Sequence, residues 1–184
     1  FLRVHFGDPD GHFYEGQVSD FRPDLDWSFQ RKHDDMPEDN LDVAAATMAL
    51  GNTDTGWYED VEALFDIDAY LTFWAVEVLV GHWDSYNGNR NNYYVYNDPS
   101  QDRFVFLPWG PDSAFQPLEN PFDEISYPPS LSAHGMLGHR LWERPESQQA
   151  YVKRLLDVLD TAWDEAHLHA EVERMSELIM PLMS

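Results

Sequence analysis

Blocks of hydrophobic residues, separated by polar breaks, predict a series of helices in the first half of the chain. An alanine-rich block over 41–50 predicts a helix, a break follows over 51–56, and 57–65 predicts a second, shorter helix. Asp66 is a suitable N-cap for a third helix over 67–80. Because that third block is apolar almost all round, it is expected to be the central buried helix.

The pattern then changes to short β-rich segments. Residues 92–97 and 103–107 are aromatic and β-branched, and the turn-forming residues 98–102 separate them, so they predict a β-hairpin. Another strand is expected near Phe13, after a turn over 8–11.

The remaining segments are polar or helical. Residues 17–40 are charged and are expected to form a loop or lid, and the proline-containing stretch 116–131 an extended surface segment. Two further helices are predicted, from Pro145 to near 163 and over 165–180, with the proline in the first turn. The pattern as a whole indicates an α+β fold in a single domain.

Composition narrows the functional classes. The 184 residues include 7 Trp, 9 Tyr and 11 Phe, enough for a real core. The net charge of -23 argues against nucleic acid and anionic membranes as partners. The absence of cysteine excludes disulfides and thiolate metal sites. No apolar run approaches the roughly 20 residues that span a bilayer, so membrane insertion is not expected.

Candidate chemistry is concentrated in a polar stretch between the central helix and the hairpin. Residues 81–96 read GHWDSYNGNRNNYYVY, with four Asn and one Asp. Because Asn and Asp are depleted in regular helices and strands, such a loop is held by its own side chains or binds something polar.

The spacing within this stretch suggests phosphoryl transfer. His82, Asp84 and Asn89 follow the kinase pattern H-x-D-x-x-x-x-N, and the hairpin leads to Asp112. Phosphoryl transfer needs a carboxylate near the attacking hydroxyl and oxygen ligands for a divalent cation. Asp84 is therefore the candidate catalytic residue, and Asp112 and Asn89 are the candidate metal ligands. Asn89 and Asn92 are both assigned to cofactor binding, and Asn92 is the reserve ligand.

Simpler roles remain open for the same residues. Asp84 could cap the central helix or hold the loop, and Asp112 could be a turn residue after Pro111. Asn91 and Asn92 are expected chiefly to stabilise the loop. His82 is expected to pack beneath it without taking part in the chemistry.

Residues 83–115, WDSYNGNRNNYYVYNDPSQDRFVFLPWGPDSAF, resemble the signature of the CotH kinase family. The flanks fit as well: residues 1–16 resemble the segment after that family's N-terminal lobe, 66–84 its central helix and 141–159 its closing helices.

The resemblance implies a protein-kinase-like C-lobe that is mainly helical, with the hairpin between the catalytic loop and the metal-binding Asp. Residues 1–184 would be the C-terminal catalytic portion, without the N-terminal nucleotide-covering lobe. The implied activity is transfer of the ATP γ-phosphoryl group, with Mg²⁺ or Mn²⁺, to Ser or Thr of secreted or surface proteins. It also implies a bacterial protein that is itself secreted or on the cell surface, and in spore-forming members the substrates are spore-coat proteins.

Two departures from the family pattern keep other functions in view. Many members read Pro-Trp-Asp-x-Asp where this chain has Gly110 ahead of Asp112. Neither Lys32 nor Lys153 is expected in a strand ahead of the catalytic loop, and no Gly-rich loop precedes Asp84, so the isolated chain is expected to be inactive. The alternatives are a non-catalytic surface, adhesion or divalent-metal-binding module, and a metal-dependent phosphoesterase.

Overall fold

The computed structural model describes residues 1–32, 40–116, 127–128 and 130–182. These residues form an α+β fold, as predicted. The strands are β1 (His12–Gly16), β2 (Gln30–Arg31), β3 (Tyr93–Asp98) and β4 (Arg103–Pro108). The helices are α1 (Leu2–His5), α2 (Leu41–Gly51), α3 (Trp57–Leu64), α4 (Ile67–Leu79), α5 (Tyr86–Asn89), α6 (Met136–Trp142), α7 (Pro145–Thr161) and α8 (Glu165–Ile179).

The predicted hairpin is confirmed, but it belongs to a larger sheet. Four antiparallel strands lie in the order β2-β1-β3-β4, with Tyr14 opposite Val95 in β1 and β3. Pairing with β1 gives β3 a neighbour on both sides, so its backbone groups are satisfied along both edges. The hairpin therefore forms one half of a four-stranded sheet, whose two edge strands are β4 and β2.

The expectation of a loop or lid over 17–40 is wrong in part. This segment contains a 3₁₀ turn (Asp26–Ser28) and strand β2, and Phe21 is fully buried. Lys32 lies outside a strand, as expected, but it directly follows β2: its N–H donates to the Phe13 carbonyl at 2.8 Å, and its ammonium pairs with Glu15. Residues 33–39 of the segment lie outside the described residues.

Helix α4 is the central helix, as its apolar sequence predicted. Asp66 Oδ1 accepts from Ala69 N at 3.0 Å and caps the first turn. The helix packs against β4 and α7, and Trp74 is fully buried. An aromatic cluster fills the space between α4 and the sheet, with Tyr70 and Phe106 ring centroids 4.9 Å apart. The strands and loops that carry the site are therefore fixed against a rigid helix.

The C-terminal region is helical, as predicted, and Pro145 begins α7. Most of the predicted surface segment 116–131 lies outside the described residues, but Leu131 at its end is buried. In the described part of the chain, none of the helices is both long and apolar enough to cross a membrane.

Candidate active site

A short helix after α4 sets the positions of the polar loop residues. Helix α5 begins after Ser85, whose Oγ accepts from Gly88 N at 3.3 Å, and the Asn89 N–H donates to the Ser85 carbonyl at 2.8 Å. Asp84 lies just before this cap and Asn89 closes the helix. The alternative of Asp84 as a helix cap is wrong, because Val80 is the C-cap of α4 and Ser85 is the N-cap of α5.

Three side-chain amides surround the Asp84 carboxylate. Asn89 Nδ2 donates to Oδ1 at 2.8 Å, and Asn92 Nδ2 donates to Oδ2 at 2.7 Å. Asn91 Nδ2 lies 3.3 and 3.2 Å from the two oxygens. Neutral donors satisfy a carboxylate without removing its negative charge. The three amides hold Asp84 in place, and Asp84 in turn holds the loop together, as the simpler alternative expected.

The backbone conformation of the loop explains the asparagine at position 92. Arg90 and Asn92 have φ values of 58° and 49°, in the left-handed region. Asparagine tolerates this conformation better than most residues, because its short polar side chain can bond locally. The turn after α5 can therefore bring Asn91 and Asn92 back onto Asp84.

Asp112 follows β4 on a tight turn that touches the same loop. Gly110 has φ 54°, and Pro111 begins a 3₁₀ turn in which Asp112 is exposed. A Cβ on Gly110 would lie 3.1 Å from Asn92 Oδ1, so the carboxamide of Asn92 faces this turn while its Nδ2 holds Asp84. Asn92 thereby links the two parts of the site.

His82 follows α4 and precedes Asp84 in the chain. It is 3% exposed, and burial lowers the pKa of its ring. The negative charges of Asp84 and Asp112, and a hydrogen bond to the Gly110 backbone, act in the opposite direction on that pKa. His82 is buried beneath the loop, as predicted, and both candidate carboxylates are near enough to influence it.

The donor set suits a hard divalent cation. Within the described residues there is no cluster of three or more His, Cys, Asp or Glu, so two carboxylates and amide oxygens are what this loop offers. Mg²⁺ and Mn²⁺ prefer oxygen ligands, and Mg²⁺ is commonly held by one or two carboxylates together with substrate phosphates. The residues present therefore fit such an ion with a phosphate-bearing substrate.

Two buried acids near the site were missed by sequence reasoning. Glu77, on α4, and Asp20, in the segment before β2, are 4% and 0% exposed. Glu77 could have been noticed as the lone charge in the apolar run over 69–80. Nothing in the sequence marked Asp20 as buried, because it lies among many charged residues in a segment expected to be a loop.

Comparisons with known proteins agree with the sequence resemblance. The family model described as CotH kinase protein matches residues 1–184. Two curated relatives come from the fungus Rhizopus delemar. Invasin CotH2 is 25% identical over 137 residues, covering 70% of this chain and 23% of that protein. Invasin CotH3 is 24% identical over 137 residues, which again cover 70% of this chain and 23% of that protein. The chain thus matches about a quarter of each relative, and these fungal matches give no support to a bacterial source.

Proposed function

This chain belongs to the CotH kinase protein family, and from that premise we propose that it transfers the γ-phosphoryl group of ATP to Ser or Thr hydroxyls of a secreted or surface protein. The observation that carries the proposal is the position of Asp84. Three neutral amides hold its carboxylate, and Asn92 connects it to the turn that bears Asp112.

In this proposal Asp84 orients the acceptor hydroxyl and takes up its proton. Asn89 would hold the cation through Oδ1, the amide atom not engaged by Asp84, and Asp112 would hold it through its exposed carboxylate. Mg²⁺ or Mn²⁺, when held there, would neutralise charge on the phosphates. Catalysis then rests on positioning and charge neutralisation, without a covalent intermediate on the protein.

Residues 1–184 would supply the catalytic loop and metal ligands, and an N-terminal lobe of the full-length protein would cover the nucleotide. Secretion or display at the cell surface is part of the proposal. Its support is the relatives' printed name, invasin, which describes those fungal proteins.

The test is γ-phosphate transfer by the full-length protein to a generic Ser/Thr substrate, with Mg²⁺ and then Mn²⁺. Asp84→Asn is the loss-of-function variant, because it keeps the side chain's size and removes its charge. We expect labelled protein with the wild type and almost none with the variant. Inorganic phosphate without labelled protein would instead identify a phosphoesterase that uses the same carboxylates.

A second candidate is a non-catalytic adhesion or metal-binding module. Gly110 favours it, because a carboxylate present in many family members is missing at this position. Titration of Mg²⁺-ATP into the full-length protein separates the two. Absence of nucleotide binding, together with absence of transfer under either metal, would make the module the better conclusion.

A further inference from the structure

The carboxylate of Glu77 contacts the short helix between Asp84 and Asn89. Its Oε1 accepts from Tyr86 N at 3.3 Å, and its Oε2 accepts from the backbone and side-chain nitrogens of Asn87 at 3.3 and 3.1 Å. The Ser85 hydroxyl also lies near enough to lower the pKa of Glu77. Helix α4 therefore holds the first turn of α5 through one side chain.

Asn87, the main partner of Glu77, is itself oriented from several directions. Its Oδ1 accepts at 2.8 Å from the hydroxyl of Tyr70, which lies on α4 with Glu77. Its carbonyl accepts from Ser132 Oγ at 2.6 Å and from His134 N at 3.0 Å. The position of α5 is thus specified by side chains and not only by the length of the loop.

This arrangement is unfavourable for stability taken alone. Burial raises the pKa of Glu77 to about 8, while the hydrogen bonds from Asn87, Ser85 and Tyr86 oppose that shift. Replacing a buried polar group and its partners by packed apolar groups of the same shape is often neutral or stabilising. A buried acid whose partners all lie on one four-residue helix gains specificity of position rather than folding free energy.

We propose that Glu77 is a positioning residue for the phosphoryl-transfer site, fixing α5 so that Asp84 and Asn89 keep their separation. The inference rests on the proposed function, since Asp84 and Asn89 are its candidate groups. Displacement of a reacting group by about 1 Å can lower the rate roughly a hundredfold. Loss of the Glu77 contacts should therefore affect turnover more than folding.

The test compares Glu77→Gln with Leu71→Ala in the full-length protein. Glutamine keeps the size of the side chain, but its amino group would face N–H donors that a carboxylate accepts. Leu71 is 7% exposed on the same helix, so its truncation destabilises the fold by removing buried apolar contacts. At a temperature where both variants are folded, we expect kcat of Glu77→Gln to fall about tenfold to a hundredfold, with KM for ATP nearly unchanged. Leu71→Ala should keep near-normal kcat.

Two further measurements keep the inference testable if Glu77→Gln folds poorly or the protein transfers no phosphate. Tyr70→Phe removes the hydroxyl that orients Asn87 and should lower kcat in the same direction by a smaller factor. Relative to amides of α7, hydrogen exchange at the Tyr86 and Asn87 amides should quicken in Glu77→Gln and not in Leu71→Ala, whether or not the protein is a kinase. Equal loss of kcat in Glu77→Gln and Leu71→Ala, or unchanged exchange at the two amides, would overturn the positioning role. Absence of transfer by the wild type would count against the proposed function alone.

Discussion

Single residues in the candidate site differ in how firmly they are held. Asp84 accepts hydrogen bonds from three amides, whereas Asp112 is exposed on a one-turn 3₁₀ segment. A carboxylate fixed in this way suits a hydroxyl that must be aligned, and an exposed one suits a cation that arrives with a nucleotide. The two acids should therefore respond differently to substitution.

Asp112→Ala should lower phosphoryl transfer by roughly a hundredfold or more, because charge neutralisation of the triphosphate is worth several kcal/mol in the transition state. Asp112→Asn should fail nearly as badly, since an amide lacks the charge. The melting temperature should barely change, because the residue is exposed. The measurement is transfer with Mg²⁺ and with Mn²⁺, alongside thermal unfolding.

Asp160→Ala and Asp160→Asn, on the exposed side of α7, are the matched controls and should leave activity unchanged. Near-normal transfer by Asp112→Ala, together with loss in Asp84→Asn, would show that Asp112 is not the metal ligand.

Asn92→Asp should impair the site by electrostatic repulsion. The new carboxylate would replace an amide that lies 2.7 Å from Asp84 Oδ2, while aspartate still tolerates the left-handed backbone at this position. We expect transfer to fall about tenfold or more. Asn97→Asp breaks a comparable amide–carboxylate contact, of 3.0 Å to Asp42, elsewhere in the sheet. A similar loss of activity in both variants would point to general destabilisation.

At the scale of elements, α5 depends on close backbone packing. A Cβ at Gly88 would lie 1.8 Å from the Trp83 carbonyl oxygen, so no side chain fits without moving the helix. Gly51, at the end of α2, has no neighbouring atom within 4 Å of such a Cβ. The two glycines give opposite expectations for the same substitution.

Gly88→Ala should lower the free energy of unfolding by about 1–3 kcal/mol and reduce transfer as α5 shifts. Gly51→Ala should be neutral or raise stability by about 0.5–1 kcal/mol, because it reduces the entropy of the unfolded chain. Urea unfolding of both variants is the measurement. Equal stabilities would show that α5 can relax away from Trp83.

At the scale of the whole molecule, Asp20 joins three distant segments. Its Oδ1 accepts from the Tyr86 hydroxyl at 2.9 Å and from Phe21 N at 2.9 Å, and both of its oxygens lie 3.0 Å from Met136 N. The N-terminal segment, α5 and α6 thus meet at one fully buried carboxyl. Burial raises its pKa from 3.8 to about 6, despite these hydrogen bonds.

The sign of the resulting pH dependence follows from that increase in pKa. Between pH 4 and 6 the folded state binds the Asp20 proton more tightly than the unfolded state does, so this contribution to stability is full below about pH 4 and is lost as the pH rises through 6. A difference of about two units between the pKa values of the folded and unfolded states corresponds to roughly 3 kcal/mol of stability.

Urea unfolding at pH 4 and pH 7 should therefore show the wild type losing roughly 3 kcal/mol more than Asp20→Asn, which cannot titrate. The wild type and Asp20→Asn share every other titratable group, including Glu77. The difference between their pH profiles therefore reports Asp20. Asp160→Asn, the exposed control, should follow the wild type. Parallel pH profiles for the wild type and Asp20→Asn would contradict the raised pKa.

The sequence by itself determined the elements whose signals are local. Asp66 caps α4, the apolar block forms that helix, Pro145 begins α7, and the two aromatic runs form a hairpin. Each depends on neighbouring residues, through capping, periodicity or turn chemistry, so each is visible in a short window. The spacing of Asp84, Asn89 and Asp112 likewise comes from sequence, although their roles remain predictions.

Only the tertiary structure decided contacts between residues distant in sequence. It paired β1, the strand predicted near Phe13, with the hairpin and added β2. It also buried Phe21 and Asp20 in a segment that looked like a loop, and placed Glu77 against α5. It also brought Asn92 and Gly110 together. The reason is physical: strand pairing and the burial of a charge depend on which segments meet across the core, and charge and polarity alone do not identify that partner.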